Sequence, residues 1–120
     1  ISAVLQAIIN IVDFGMSPIE AVTVPRIHCE GAALHAEARV QGSVCRELTA
    51  MGHAVAQSAV SFDPVMSRAH VVELDGKGGW RGGADPRGGG AVAHRRTGEP
   101  ADGLHRRGVQ ATGRIPPIAT

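Results

Sequence analysis

A chain of 120 residues, 43% of them apolar, has room for one modest core and excludes a multidomain assembly. Two cysteines, Cys29 and Cys45, exclude a disulfide framework, and three aromatics (Phe14, Phe62, Trp80) leave the core to Val, Ile, Leu, Ala and Met. The net charge of +1 hides a split: residues 1–93 carry seven Lys/Arg against nine Asp/Glu, whereas residues 94–120 carry five Arg against two acids. A near-neutral folded part with a basic tail is expected.

Residues 1–15 predict a helix. Ser2, Gln6, Asn10 and Asp13 form one polar stripe at helical spacing, and the remaining positions are apolar or small. So wide an apolar surface calls for burial on most sides, and the dense run at Ile1 reads as an element whose upstream chain is missing. The run is uncharged up to Asp13. That is too short for a bilayer, which takes about 20 residues. It also lacks the basic start of a signal peptide. Gly15 is placed to end the helix in a left-handed conformation.

A second helix opens at Ser17, with Pro18 at its first position and Glu20 three after the cap, and closes at Val24 ahead of Pro25. Residues 34–40 alternate: Leu34, Ala36, Ala38 and Val40 face one way, and His35, Glu37 and Arg39 the other, as in a half-buried strand. Ser43 is expected to cap a third helix that carries Val44, Leu48 and Met51 and ends at Gly52. Residues 53–60 and 69–74 are strand candidates, Asp75-Gly76 a hairpin turn, Trp80 the start of the returning strand, and Asp85-Pro86-Arg87 a further turn. After Ala93 no period remains, and residues 94–120, rich in Arg, Gly and Pro, are expected to be disordered.

Each candidate chemistry meets a simpler reading. His28, Cys29, His35, Cys45, His53 and His70 could ligate zinc, but their gaps lack the tight pairs of zinc sites. Scattered surface His and packed Cys account for them. Neither cysteine has a triad legible in the sequence, and no G-x-S-x-G occurs. Asp63, Asp75 and Asp85 could pair as carboxylates, but each sits where Asp favours a turn. The glycines of residues 76–90 fit no phosphate-loop pattern. Arg81-Gly82-Gly83 and Arg87-Gly88-Gly89 look like RGG triplets, and Arg95, Arg96, Arg106, Arg107 and Arg114 add charge. With Trp80 the one aromatic nearby, stacking on nucleic acid is poorly supported and no specific nucleic-acid partner is expected.

Three blocks in order nevertheless carry a resemblance. The first is Val4-Leu5-Gln6, Asn10, Asp13-Phe14-Gly15-Met16, Glu20-Ala21-Val22 and Pro25-Arg26-Ile27-His28; the second is Leu48, Gly52-His53 and Val55; the third is Asp75-Gly76, Gly82-Gly83-Ala84-Asp85-Pro86-Arg87 and Gly90-Ala91. Together they resemble the last part of the small subunit of γ-glutamyltransferases (γ-glutamyltranspeptidases). The resemblance implies an α+β fold, a fragment of the αββα sandwich of N-terminal-nucleophile hydrolases built of helices plus antiparallel strands. It implies γ-glutamyl amide cleavage and transfer by an N-terminal threonine whose α-amine acts as base.

That nucleophile, the Gly-Gly turn holding the oxyanion and the serines holding the substrate would lie upstream of Ile1. Thr23, Thr49, Thr97, Thr112 and Thr120 do not match the catalytic position. No catalytic, cofactor-binding or metal residue is therefore carried onto this chain, and no cofactor is implied. Residues 1–93 are expected to be scaffold, with the large subunit and the nucleophile-bearing segment as partners and the γ-glutamyl substrate bound only by the complete enzyme. Many relatives are periplasmic or extracellular. The alternatives are a non-enzymatic interaction module and, behind it, a basic-tailed nucleic-acid binder. The tail reads as a natural extension or a shifted frame.

Overall fold

The computed structural model describes residues 1–77 and 79–93. The basic tail expected to be disordered lies outside the described residues. The elements in order are helices α1 (Ser2–Val12) and α2 (Pro18–Thr23), strands β1 (Ile27–Cys29) and β2 (Leu34–Ala36), helix α3 (Gly42–Ala50), strand β3 (Val55–Gln57), a 3₁₀ turn (Pro64–Met66), and strands β4 (Val71–Leu74) and β5 (Trp80–Gly83).

Helix α1 forms where the periodicity places it, and Gly15 ends the segment at φ +65°. Its orientation is the surprise. The polar stripe faces the chain rather than solvent. Ser2 Oγ lies 2.6 Å from His28 Nδ1. The Gln6 amide clasps Ile27 from both sides, Nε2 donating to its carbonyl at 2.7 Å and Oε1 accepting its N–H at 3.1 Å. Asn10 Nδ2 donates to the Ala21 carbonyl. Between these contacts only small residues are buried: Ala3 and Ala7 pack with Ala69, and Val71 lies against them. The large residues point away. Leu5 and Ile8, expected in a buried face, are 54% and 53% exposed, and Val4, Val12 and Phe14 are also exposed.

Helix α2 is set by its start. Ser17 Oγ accepts from the Glu20 N–H, Glu20 Oε2 accepts from the Ser17 N–H at 2.8 Å, and Pro18 occupies the first turn. Pro18, Ala21 and Val22 are buried. Strand β5 runs so close beneath this helix that a Cβ on Gly83 would sit 2.4 Å from the Pro18 carbonyl oxygen. Glycine is required there for approach rather than for a turn.

The strands form two small sheets. In the first, β1 pairs antiparallel with β2, and β2 pairs parallel with β3. The parallel pair departs from the expected antiparallel strands. Helix α3 supplies the crossover that such a pair requires. In the second, β4 and β5 form an antiparallel hairpin, and the Asp75 N–H donates to the Gly79 carbonyl at 2.9 Å.

Two expectations are corrected, and one strand is added. Strand β2 ends at Ala36, not at residue 40, because the Glu37 side chain turns inward to buried arginines. Helix α3 is capped at Gln41, and Ser43 lies inside its first turn. Strand β1 was not foreseen; three residues after a proline carry too little pattern to register.

Candidate functional site

Four fully buried charged side chains occupy the centre of the described chain: Arg26, Glu37, Asp85 and Arg87, each at most 4% exposed. Isolated charges would not survive there, since desolvating each costs several kcal/mol, on the order of the attraction a close partner returns. The arrangement answers that cost by pairing every charge. Arg26 Nη1 meets Asp85 Oδ2 at 2.6 Å. Arg87 reaches Glu37 through two parallel contacts, Nε to Oε1 at 2.5 Å and Nη2 to Oε2 at 2.7 Å, and reaches Asp85 Oδ1 through Nη1 at 3.0 Å. Two guanidiniums and two carboxylates cancel.

The leftover hydrogen-bonding capacity is spent on backbone. Arg87 donates to the carbonyls of Val22 and Val24, each at 2.8 Å, and Arg26 donates to Val22 at 3.2 Å and to Ser67 at 3.1 Å. The Val22 and Val24 carbonyls sit at the end of α2, where intrahelical donors run out. The carboxylates in turn accept backbone N–H groups, Glu37 from Arg26 and Asp63, and Asp85 from Ala69 and Arg87. One cluster thus ties the end of α2, the start of β1, the end of β2, the segment around Asp63 and Ser67, and the segment after β5.

Phe62 closes one side. Its ring lies under the Arg39 guanidinium, 3.8 Å from the centroid, and Arg39 Nη2 also pairs with Glu37 at 3.0 Å. Phe62 holds a left-handed backbone, φ +55°. For a bulky residue that conformation is strained and persists only where its surroundings enforce it.

The electrostatics are those of a clamp rather than a proton shuttle. Burial by itself would raise the Glu37 carboxyl, but the hydrogen bonds and charge of Arg87, with help from the Arg26 N–H and Arg39, hold it below the usual range. Burial opposes ionisation of Asp85 too, and the N–H groups of Arg87 and Ala69 together with Arg26 override it. For Arg87, burial disfavours the cation while Glu37 and Asp85 more than compensate, and its pKa rises. Arg26 moves down, because burial and the neighbouring Arg87 outweigh Asp85.

Of the candidates read from sequence, Asp63 and Asp75 act as turn residues, accepting the N–H of Val65 and of Lys77 respectively. Asp85 does the same toward Arg87, but it is also half of a buried ion pair, which its turn context did not disclose. Cys45 is buried, whereas Cys29, expected to be at least half-buried, is exposed. His28 and His35 face each other across β1 and β2. Among the described residues no group of three or more His, Cys, Asp or Glu could hold a metal ion. The RGG-like triplets are structural, since Arg87 is buried and Arg81 pairs with Glu73 at 2.9 Å across the hairpin. No helix of the described residues is long and apolar enough to cross a membrane.

Glu37, Arg39 and Phe62 were missed altogether. Glu37 and Arg39 were placed on a solvent face by an alternation that stops at Ala36. The only hint available was the two motif blocks containing Arg26 and Asp85-Pro86-Arg87, and the fold brings those blocks into contact.

The stretch holding this cluster also matches known proteins. A family model described as gamma-glutamyltranspeptidase matches residues 1–95. The "Glutathione hydrolase-like YwrD proenzyme" of Bacillus subtilis is 34% identical over 91 residues, covering 71% of this chain and 17% of that protein. The "Acylase ACY 1 proenzyme" of a Pseudomonas species is 41% identical over 68 residues, covering 50% of this chain and 12% of the acylase. The chain therefore spans less than a fifth of either relative.

Among solved structures, a mutant gamma-glutamyltranspeptidase of Helicobacter pylori superposes with a TM-score of 0.58 at 34% identity, covering 72% of this chain and 47% of that one. An acivicin-inhibited gamma-glutamyltranspeptidase, whose C-terminus is described as critical for autoprocessing and catalysis, gives 0.58 at 32% identity over 72% of this chain and 47% of that one. The Pseudomonas nitroreducens enzyme complexed with L-DON shares the fold with a TM-score of 0.63 at 24% identity, covering 78% of this chain and 49% of that chain. The helices and mixed strands are thus part of the α+β fold of an N-terminal-nucleophile hydrolase, and with its paired motif blocks inside the matched region this chain belongs to the gamma-glutamyltranspeptidase family.

Proposed function

We propose that residues 1–93 are the C-terminal scaffold of a γ-glutamyl hydrolase or transferase, and that the chain lacks the nucleophile and is inactive alone. It works when docked on the upstream part of the same kind of protein, which brings the threonine and the γ-glutamyl substrate site.

The observation that carries this reading is the inverted helix α1. Its polar stripe is consumed by contacts inside the chain, while Val4, Leu5, Ile8, Val12 and Phe14 stand exposed. Each fully buried side chain of that kind contributes about 1.5–3 kcal/mol, and these five, 53–73% exposed, forgo half or more of it, several kcal/mol together against a small domain's stability. A covering body removes that penalty. The critical role described for the C-terminus of the acivicin-inhibited relative supports the same assignment.

The test is cleavage of γ-glutamyl-p-nitroanilide. The chain alone gives no turnover, and mixing it with a separately produced upstream segment that bears the threonine restores it. Robust turnover by the chain alone refutes the proposal; no restoration on mixing favours an independent interaction module.

A further inference from the structure

A second constellation lies outside the charge cluster. Ser2 Oγ is 2.6 Å from His28 Nδ1, and His28 Nε2 is 3.3 Å from Glu30 Oε1. The direction of the Ser2–His28 hydrogen bond is set by the imidazole tautomer. With the hydrogen on Nε2, the form that the nearby Glu30 carboxylate favours, Nδ1 accepts the Ser2 hydroxyl. That is the order nucleophile, base, acid required to activate a weak hydroxyl.

The geometry is held from outside the three residues. The two-sided Gln6–Ile27 clasp locks β1 to α1 one helical turn from Ser2. Ser2 itself is the first residue of α1, where the helix end favours developing negative charge. His28 is 22% exposed, so the site is reachable but partly shielded from water; Glu30 is 85% exposed.

We propose that Ser2 and His28, oriented by Glu30, form a serine nucleophile site that takes small activated esters. Ser2 Oγ attacks the ester carbonyl carbon as its proton moves to His28 Nδ1. The tetrahedral intermediate collapses by breaking the bond to the leaving alcohol, which takes the proton from Nδ1. A water molecule, deprotonated by the same nitrogen, attacks the acyl-serine, frees the carboxylic acid and returns the proton to Oγ. Ser2 and His28 are the catalytic residues, and Glu30 is a positioning residue that acts through the imidazole.

The experiment treats the 120-residue chain with a fluorophosphonate probe, which loses fluoride as its phosphorus bonds to oxygen, and with p-nitrophenyl acetate. Modified residues are located by peptide mass spectrometry. Label is expected on Ser2 in preference to Ser17, Ser43, Ser58, Ser61 and Ser67. It is lost in Ser2→Ala, and the rate falls about 100-fold in His28→Gln, the scale of a lost general base. Glu30→Gln, at a position 85% exposed, lowers kcat for the ester by a smaller factor with KM unchanged. Label spread evenly over the serines, acetyl groups confined to histidines, or ester cleavage unchanged in both His28→Gln and Glu30→Gln each overturn the proposal. Cleavage of γ-glutamyl-p-nitroanilide is not a readout here, so failure at Ser2 leaves the scaffold assignment standing.

Discussion

Replacing Arg87 by Met is the sharpest probe of the buried cluster. The substitution preserves much of the side chain's bulk but removes both contacts to Glu37, the contact to Asp85 and the donors to the Val22 and Val24 carbonyls. Four partners at most 4% exposed then become two carboxylates and one guanidinium; Arg26 stays with Asp85, and Glu37 keeps only the part-exposed Arg39. Breaking a buried pair by removing one partner costs about 3–5 kcal/mol, because an uncompensated charge stays behind. That is a large part of the 5–15 kcal/mol typical of a whole domain. The matched control is Arg81→Met, which loses a pair with Glu73 that is 42% and 25% exposed on its two sides and should cost about 0–1 kcal/mol. Urea unfolding followed by circular dichroism measures both. Arg87→Lys keeps the charge but not the fork, and should recover only part of the loss. Combined with Glu37→Met, Arg87→Met should cost less than the two single changes added together, because the pair leaves as a unit. If Arg87→Met unfolds within about 1 kcal/mol of the parent, or no differently from Arg81→Met, the cluster does not hold the fold as argued.

Acid should unfold the chain. The Glu37 and Asp85 carboxyls lie below their ordinary values of 4.5 and 3.8, so their contribution is complete above those values and is lost as pH falls through the lower folded-state ones. Thermal midpoints should therefore hold from neutrality to about pH 5 and drop steeply below about pH 4, and a flat profile to pH 3 contradicts this. Gly83→Ala drives a Cβ to within 2.4 Å of the Pro18 carbonyl oxygen, where the obstacle is backbone that cannot rotate aside. A loss of about 1–3 kcal/mol in urea is expected, against near-neutrality for Gly42→Ala, whose nearest atom is the flexible end of Arg46 at 3.4 Å. Leu5→Gln with Ile8→Gln should change the stability of the isolated chain by less than about 0.5 kcal/mol each, as at other exposed positions. The same pair should abolish restoration of γ-glutamyl cleavage by the upstream segment; retained restoration would remove α1 from that interface.

What could be read from sequence was local. The Ser17-Pro18-Glu20 capping box, the left-handed stop at Gly15 and the hairpin turn around Asp75 were legible because each is decided by bonds and sterics within a few residues. The motif blocks identified the family for the same reason, as ordered short strings. The Ser2 hydroxyl and the His28 ring, by contrast, meet only because β1 is clasped to α1, and no spacing rule signals that contact.

The amino-acid sequence by itself determined where α2 begins, where the three helices stop, which stripe of α1 is polar and to which family the chain belongs. Tertiary structure alone decided which way that stripe faces and which charges are buried. Glu37 sits in an alternating run and would point to solvent on local preference; it is buried because Arg87, fifty positions away, is delivered beside it. A buried charge is tolerable only where an opposite charge and backbone dipoles are already in place, and that condition is set by the assembled chain, not by neighbours in sequence.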